Sequence, residues 1–140
     1  MNIPAYTALL AAFLVILQVV LMLSVGLHRS KGKFVGHEGD RDLERKVRRH
    51  GNLAENSGLF LAVLVILEIL VGQTTMVLTL CIIFAVARLL HAVGFASLAG
   101  SHGEDLTGAR KGFAAARAMG AMGTLITAVG SAWALIGTQL

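Results

Sequence analysis

Three polar residues with helical spacing stand where a basic segment gives way to an apolar one, in the stretch "RRHGNLAEN", residues 48–56. Arg48, Asn52 and Glu55 are spaced i, i+4, i+7, so on a helix that turns about 100° per residue they form one narrow stripe. Guanidinium groups pair well with carboxylates, and a carboxylate such as Glu55 can hold an ammonium group. A pocket that joins this stripe to further guanidinium groups would fit a small zwitterion that carries more than one carboxylate.

Two later stretches add polar groups of the same kind. Arg88, His91 and Phe95 are spaced i, i+3, i+7 in the third apolar run, and Arg117 lies in the fourth. An arginine near a thiol favours the thiolate, which is the nucleophilic form. We expect these residues and the first stripe to meet in one polar pocket, because polar faces exposed to lipid are costly. A peptide-like thiol is one ligand that fits such a pocket.

Each of these residues also has a plainer interpretation. Arg48 and Glu55 could form a network that anchors the helix end, and Arg88 could bridge to Glu55 for structural reasons alone. His91 could be a packing residue, and Arg117 could extend to the membrane interface along its apolar stem. The convergence of all of them at one depth favours a site.

Four apolar runs of membrane-spanning length must position these residues. The mean hydropathy is +0.75, and charged residues make up 14% of the chain, against about 25% in soluble proteins. A helix of roughly 20 residues crosses the hydrocarbon core, where backbone groups must be paired internally. We predict an all-α integral membrane four-helix bundle that forms a single domain over residues 1–140, with no metal site. The predicted helices cover about 5–27, 41–71, 76–98 and 112–137.

The distribution of charge predicts an orientation. Eight of the twelve lysines and arginines lie between His28 and His50, and Arg110 and Lys111 lie in the third connection. Basic connections stay in the cytoplasm, so both termini are expected outside it. The net charge of +4 comes from these connections and does not indicate a nucleic-acid partner. The four apolar runs predict membrane lipid as the partner.

The connections carry further signals. Asp40 is predicted to cap the N-terminus of the second helix, and Glu68 is interpreted as a boundary residue near the outer end. The glycine-containing third connection is either a mobile loop over a site or a simple connector. The stretch "AAARAMGAMGT", residues 114–124, is rich in small residues, including Gly120 and Thr124. Such residues are typical of close contact between membrane helices, here between copies of the chain.

At these residues the chain resembles the MAPEG family, the membrane-associated proteins in eicosanoid and glutathione metabolism. The stretch "DLERKVRRHGNLAEN" carries the family's E-R-x-x-R-x-x-x-N-x-x-E pattern, which begins at Glu44 and Arg45 and ends at Glu55. The stretch "RLLHAVGF" is similar to the family's R-x-x-H-x-x-x-Y pattern. The four-helix layout and the basic first connection also agree, so the resemblance covers essentially the whole chain. The charge-poor, minimal sequence is most similar to the bacterial branch, which implies an inner-membrane location.

The resemblance implies a homotrimer that binds glutathione between neighbouring subunits, near the cytoplasmic face. It implies a glutathione-dependent transferase or peroxidase that acts on small lipophilic electrophiles arriving through the membrane lipid. Arg117 matches the arginine that stabilises the thiolate in several members, with Arg110 as its rival. The positions that would bind glutathione are Arg29, Arg48, Asn52, Glu55, Arg88 and His91.

Two departures from the family's pattern limit this expectation. Phe95 stands where several members have a tyrosine, and Ala118 stands where the prostaglandin synthase of the family has a serine. Both argue against that synthase's isomerisation, and they leave open a non-catalytic member with a binding or interaction role. A small four-helix drug exporter is a third possibility, but such exporters need a carboxylate in the first membrane helix, and residues 5–27 contain none.

Overall fold

The structure, a computed structural model, describes residues 3–32, 35–98, 105–108 and 110–139. These residues form four α-helices: α1 (Ala5–Arg29), α2 (Arg41–Val71), α3 (Thr75–Gly94) and α4 (Arg110–Gly137). All four are long and apolar enough to cross a membrane, and the predicted all-α four-helix class is confirmed. Residues 99–104 and 109 of the third connection lie outside the described residues, and so does the prediction of a mobile loop there.

The four helices have a basic end and an opposite end. We call "basic end" the end at which α1 finishes at Arg29, α2 starts at Arg41, α3 finishes at Gly94 and α4 starts at Arg110. Asp40 caps α2 there, because its carboxylate accepts a hydrogen bond from the Leu43 N–H at 2.9 Å. This confirms the predicted cap.

Helix α3 ends at Gly94, four residues before the predicted boundary at residue 98. The Phe95 N–H still bonds to the His91 carbonyl at 3.1 Å, but the Ala96 N–H turns back to the Val93 carbonyl at 2.8 Å. The Phe95 carbonyl accepts a hydrogen bond from Arg45 of α2 instead of continuing the helix. Hydropathy does not mark this boundary, because the chain beyond Gly94 stays apolar.

At the opposite end, Glu68 joins α2 to the first turn of α1. Its carboxylate accepts hydrogen bonds from the backbone N–H groups of Tyr6 at 2.9 Å and Thr7 at 2.8 Å, and from the Thr7 hydroxyl at 2.7 Å. Pro4, the N-cap of α1, supplies no side-chain cap, so Glu68 satisfies N–H groups that the helix itself cannot pair. The negative charge also suits the positive end of the helix dipole. The side chain is fully buried, so the interpretation of Glu68 as a boundary residue misses its role as a tertiary cap.

A sharp turn next to Glu68 connects α2 to α3. Gly72 adopts φ 77°, a conformation that favours glycine, and its N–H bonds to the Glu68 carbonyl at 2.8 Å. Thr74 then caps α3 through a bond from the Val77 N–H at 3.4 Å. The turn thus brings α3 directly back alongside α2.

Among the described helices, α3 and α4 share the most extensive contact. A Cβ atom on Gly120 would stand 2.7 Å from the Ala87 carbonyl oxygen and 2.7 Å from the His91 backbone nitrogen, and one on Gly123 would stand 2.8 Å from the Ala87 Cβ. The small residues of α4 therefore allow backbone approach within the chain. This contact corrects the expectation that Gly120 serves packing between copies.

We expect Glu68→Gln to destabilise the fold by about 1–3 kcal/mol, because a buried amide loses the charge and places its own NH₂ against a backbone donor. Thermal unfolding in detergent, followed by circular dichroism, measures the change. Asp105→Asn is the matched control, since Asp105 is exposed. Equal melting temperatures for Glu68→Gln and the unsubstituted protein would contradict the capping role.

Candidate functional site

Arg88 is the polar centre of the bundle. Its side chain extends from α3 and is 3% exposed. Nη1 donates to the Asn52 Oδ1 of α2 at 3.0 Å, and Nη2 donates to the Gly120 carbonyl of α4 at 3.4 Å and to the Thr124 hydroxyl. The guanidinium carbon also lies 5.5 Å from the centre of the Phe84 ring. A buried charge needs such partners, and Arg88 thereby connects three helices.

An open groove of about 360 Å³ lies beside Arg88, between α2, α3 and α4. Three of the predicted site residues, Asn52, Arg88 and His91, line it. The other lining residues are Asn56, Phe60, Ala121, Thr124, Leu125 and Ala128. The groove thus has a polar wall of amide, guanidinium and imidazole groups and an apolar remainder, which suits a ligand with both characters.

Arg117, His91 and Phe95 meet where α3 ends against α4. The Phe95 ring centre lies 4.9 Å from that of His91, and the Arg117 guanidinium carbon lies 5.2 Å from the Phe95 ring centre. The backbones approach closely here, since a Cβ atom on Gly94 would stand 2.6 Å from the backbone nitrogen of Arg117. The ring thus holds a cation on its face and packs against an imidazole that also lines the groove.

Arg48 and Glu55 share one face of α2, as their spacing predicts, but that face is exposed and neither residue lines the groove. The structure does not have the alternative salt bridge from Arg88 to Glu55, because Arg88 donates a hydrogen bond to Asn52 instead. Within the described part of this single chain, the predicted set is therefore divided between the groove, the outer face of α2 and the end of α3. Arg117 lies beside Phe95 at the end of α3, and the groove lining does not include it. Arg29 is half-buried at the last residue of α1, and the groove lining does not include it.

A network of charged groups connects α1 to α2 at the basic end. His28 Nε2 lies 2.9 Å from the Asp40 carboxylate, and its Nδ1 lies 2.8 Å from Lys46 Nζ. Asp42 accepts from Lys46 at 2.9 Å and from Arg45. Such pairs contribute little each when exposed, but together they fix the register of the two helix ends.

A second polar pair joins α1 to α2 below this network. Gln18 Nε2 lies 2.7 Å from His50 Nε2. Because both groups are part-buried within apolar helices, the pair satisfies polar atoms that lipid could not. Gln18 stands out in the first run as its strongly polar residue, but no pattern in the sequence identifies His50 as its partner.

Several residues of the site carry no sequence signal of their own. Asn56 and Thr124 line the groove. The sequence indicates only a small packing residue at Thr124, and its contact with Arg88 is found only in the structure. Arg45 has a recognisable place in the motif, but its partner, the Phe95 carbonyl at 2.6 Å, is a backbone atom 50 residues away. Contacts of that kind depend on the fold and have no periodicity to reveal them.

Comparison with known proteins identifies the family of the chain. No curated protein matches the chain. The sequence profile of the MAPEG family matches residues 7–137, which include α1 from its third residue on, the whole of α2, α3 and α4, and every residue of the groove. The chain therefore belongs to the MAPEG family.

Proposed function

We propose that the protein is a membrane-bound glutathione-dependent transferase or peroxidase that acts on lipophilic electrophiles. The observation that carries the proposal is the groove beside the buried Arg88, in which Asn52 and His91 share one polar wall. Glutathione has two carboxylates and one ammonium group, and a wall of donors suits its carboxylates. The apolar remainder of the groove suits a co-substrate that arrives from lipid.

The chemistry follows from a positioned thiolate. In conjugation, the glutathione thiol loses its proton to solvent, and its sulfur forms a bond to the electrophilic carbon while the leaving group takes the displaced electron pair. In peroxide reduction, two glutathione thiols are oxidised to one disulfide while the hydroperoxide is reduced to an alcohol and water. A cation near the sulfur favours both routes because it stabilises the thiolate, and Arg117 has that role in the proposal.

We further propose that the outer face of α2 is covered by a second copy of the chain in a homotrimer. This face carries Arg48 and Glu55 together with Gly58 and Ala62, all exposed. Charged side chains facing lipid are costly, whereas small residues let membrane helices approach closely. In this arrangement Arg48 and Glu55 complete the glutathione site at the boundary between copies, and Arg29 contributes from the end of α1.

The orientation proposed for the trimer follows the positive-inside rule. The basic end lies in the cytoplasm of a bacterial cell, so glutathione enters from that side, and both termini lie across the inner membrane. Reporter fusions at each terminus test this orientation.

The second candidate is a MAPEG member that binds without catalysis. Phe95 favours it, because its ring fills the place between His91 and Arg117 and offers no hydroxyl. This candidate predicts glutathione binding with no conjugation of any model electrophile. Turnover of a chlorinated nitroaromatic or of an organic hydroperoxide separates the two.

Glutathione binding by the purified protein in detergent is the first test. We expect saturable heat in isothermal titration at millimolar glutathione or below, and about tenfold weaker binding for Glu55→Gln, because the ammonium contact is lost. Glu38→Gln, which removes an exposed acid of the first connection, is expected to bind as the unsubstituted protein does. The absence of binding at millimolar glutathione would reject the proposal.

Thiolate stabilisation by Arg117 is the second test. We expect Arg117→Ala to lower the fraction of bound glutathione present as thiolate about tenfold, equivalent to about 1.4 kcal/mol, as measured by ultraviolet absorbance of the thiolate. Arg110→Ala is the parallel variant and is expected to keep the thiolate. The reverse result would assign the role to Arg110.

Assembly is the third test. Gly58→Leu is expected to abolish the trimer in native mass spectrometry, because the added side chain would block the outer face of α2. A Cβ atom there meets nothing within 4 Å inside the chain, so the single chain should tolerate it. Gly26→Leu in α1 is the matched control, since its Cβ position is equally open. A trimer that survives Gly58→Leu would exclude this face as the interface.

A further inference from the structure

Arg45 lies beside the site, but the proposed function assigns it no role. It lies one turn into α2, and its side chain is 13% exposed. Nη1 donates to the Phe95 carbonyl oxygen at 2.6 Å, while Nε donates to Asp42 Oδ1 at 3.1 Å and Nη2 contacts the same carboxylate oxygen. The guanidinium is thus held on one side by its own helix and on the other by the end of α3.

The atom that Arg45 binds terminates α3. Phe95 is the C-cap of that helix, and carbonyls at a helix C-terminus have no partner within the helix. A cation that donates to such a carbonyl also complements the negative end of the helix dipole. Arg45 therefore fixes the place where the chain leaves α3.

That place determines the surroundings of Arg117. The Phe95 ring lies between His91, at 4.9 Å from ring centre to ring centre, and the Arg117 guanidinium carbon, at 5.2 Å from the ring centre. The preceding residue, Gly94, packs closely against the backbone of Arg117: a Cβ atom on Gly94 would stand 2.6 Å from the Arg117 backbone nitrogen. A displacement of the α3 terminus would therefore move the ring and the α4 backbone that carries Arg117.

We propose that Arg45 is a positioning residue, which places the Phe95 ring and, through it, the Arg117 guanidinium without touching the ligand. Its consequence for catalysis rests on the proposed glutathione-dependent function. In that function Arg45 governs the stability of the thiolate, whereas the affinity for the tripeptide depends on the residues that contact it.

The planar fork of arginine is essential to this role. Its five N–H donors let it hold the Asp42 carboxylate and the Phe95 carbonyl at the same time. A lysine has one nitrogen on a flexible stem, so it keeps the charge but loses the fixed link between the two partners. Arg45→Lys therefore separates the effect of geometry from the effect of charge.

The experiment compares Arg45→Ala and Arg45→Lys with Lys111→Ala, which removes an exposed cation from the first turn of α4. The first readout needs no glutathione: the NMR signal of the Arg117 side-chain N–H, in protein labelled with ¹⁵N-arginine, carries a ring-current shift from Phe95. The Phe95→Leu variant defines the signal without that ring. The second readout is the pH at which bound glutathione is half thiolate, together with kcat and KM.

We expect the Arg117 signal in both Arg45 variants to move most of the way to its position in Phe95→Leu. We also expect the thiolate midpoint to rise by about one pH unit, and kcat to fall about tenfold while KM for glutathione changes less than about twofold. Lys111→Ala should leave the Arg117 signal and the midpoint unchanged.

An Arg117 signal that stays in place in either folded Arg45 variant would overturn the inference. If Arg45→Ala does not fold in detergent, Arg45→Lys decides the matter, because it preserves the charge balance of the basic end. A protein that binds no glutathione would reject the proposed function, while the glutathione-independent NMR shift would still decide whether Arg45 positions Arg117.

Discussion

The buried guanidinium of Arg88 is the constraint on which the arrangement of three helices depends. A charge in the apolar part of a bundle is costly unless it is paired. The two terminal nitrogens of Arg88 donate to acceptors on α2 and α4, while its Nε has no hydrogen-bond partner among the described residues. To reach the Gly120 carbonyl, the two backbones must come close, and this requires the glycines at the α3–α4 crossing. The hydrogen bonds of Arg88 thus depend on the small-residue contact between α3 and α4, and the groove lies beside Arg88.

Much of the fold could be predicted from the sequence, because a bilayer leaves few choices to an apolar chain. Four runs of spanning length predict four helices, and the side chain of Asp40 marks the start of α2 with its cap. The end of α3 could not be predicted in the same way, since apolar residues continue past Gly94 and the helix ends through a bond from Arg45.

The candidate site was predictable in its residue types and in part of its geometry. The spacing of Arg48, Asn52 and Glu55 correctly places them on one side of α2, yet a spread of about 60° around the helix is enough to separate them. Asn52 turns toward Arg88, whereas Arg48 and Glu55 remain on the outer face. Periodicity tells which residues share a face, but the neighbour that the face meets is decided by packing over the whole chain.

The two ends of the bundle satisfy their polar groups in opposite ways. Glu68 is fully buried and accepts three hydrogen bonds within the chain, so it needs nothing further and acts as a structural cap. At the basic end, Arg48 and Glu55 are exposed on a helix that is apolar beyond them. Groups of this kind are stable in a membrane protein only when water, a ligand or another subunit receives them. This asymmetry, more than the presence of any single residue, is the physical argument for the proposal that the ligand binds at the basic end.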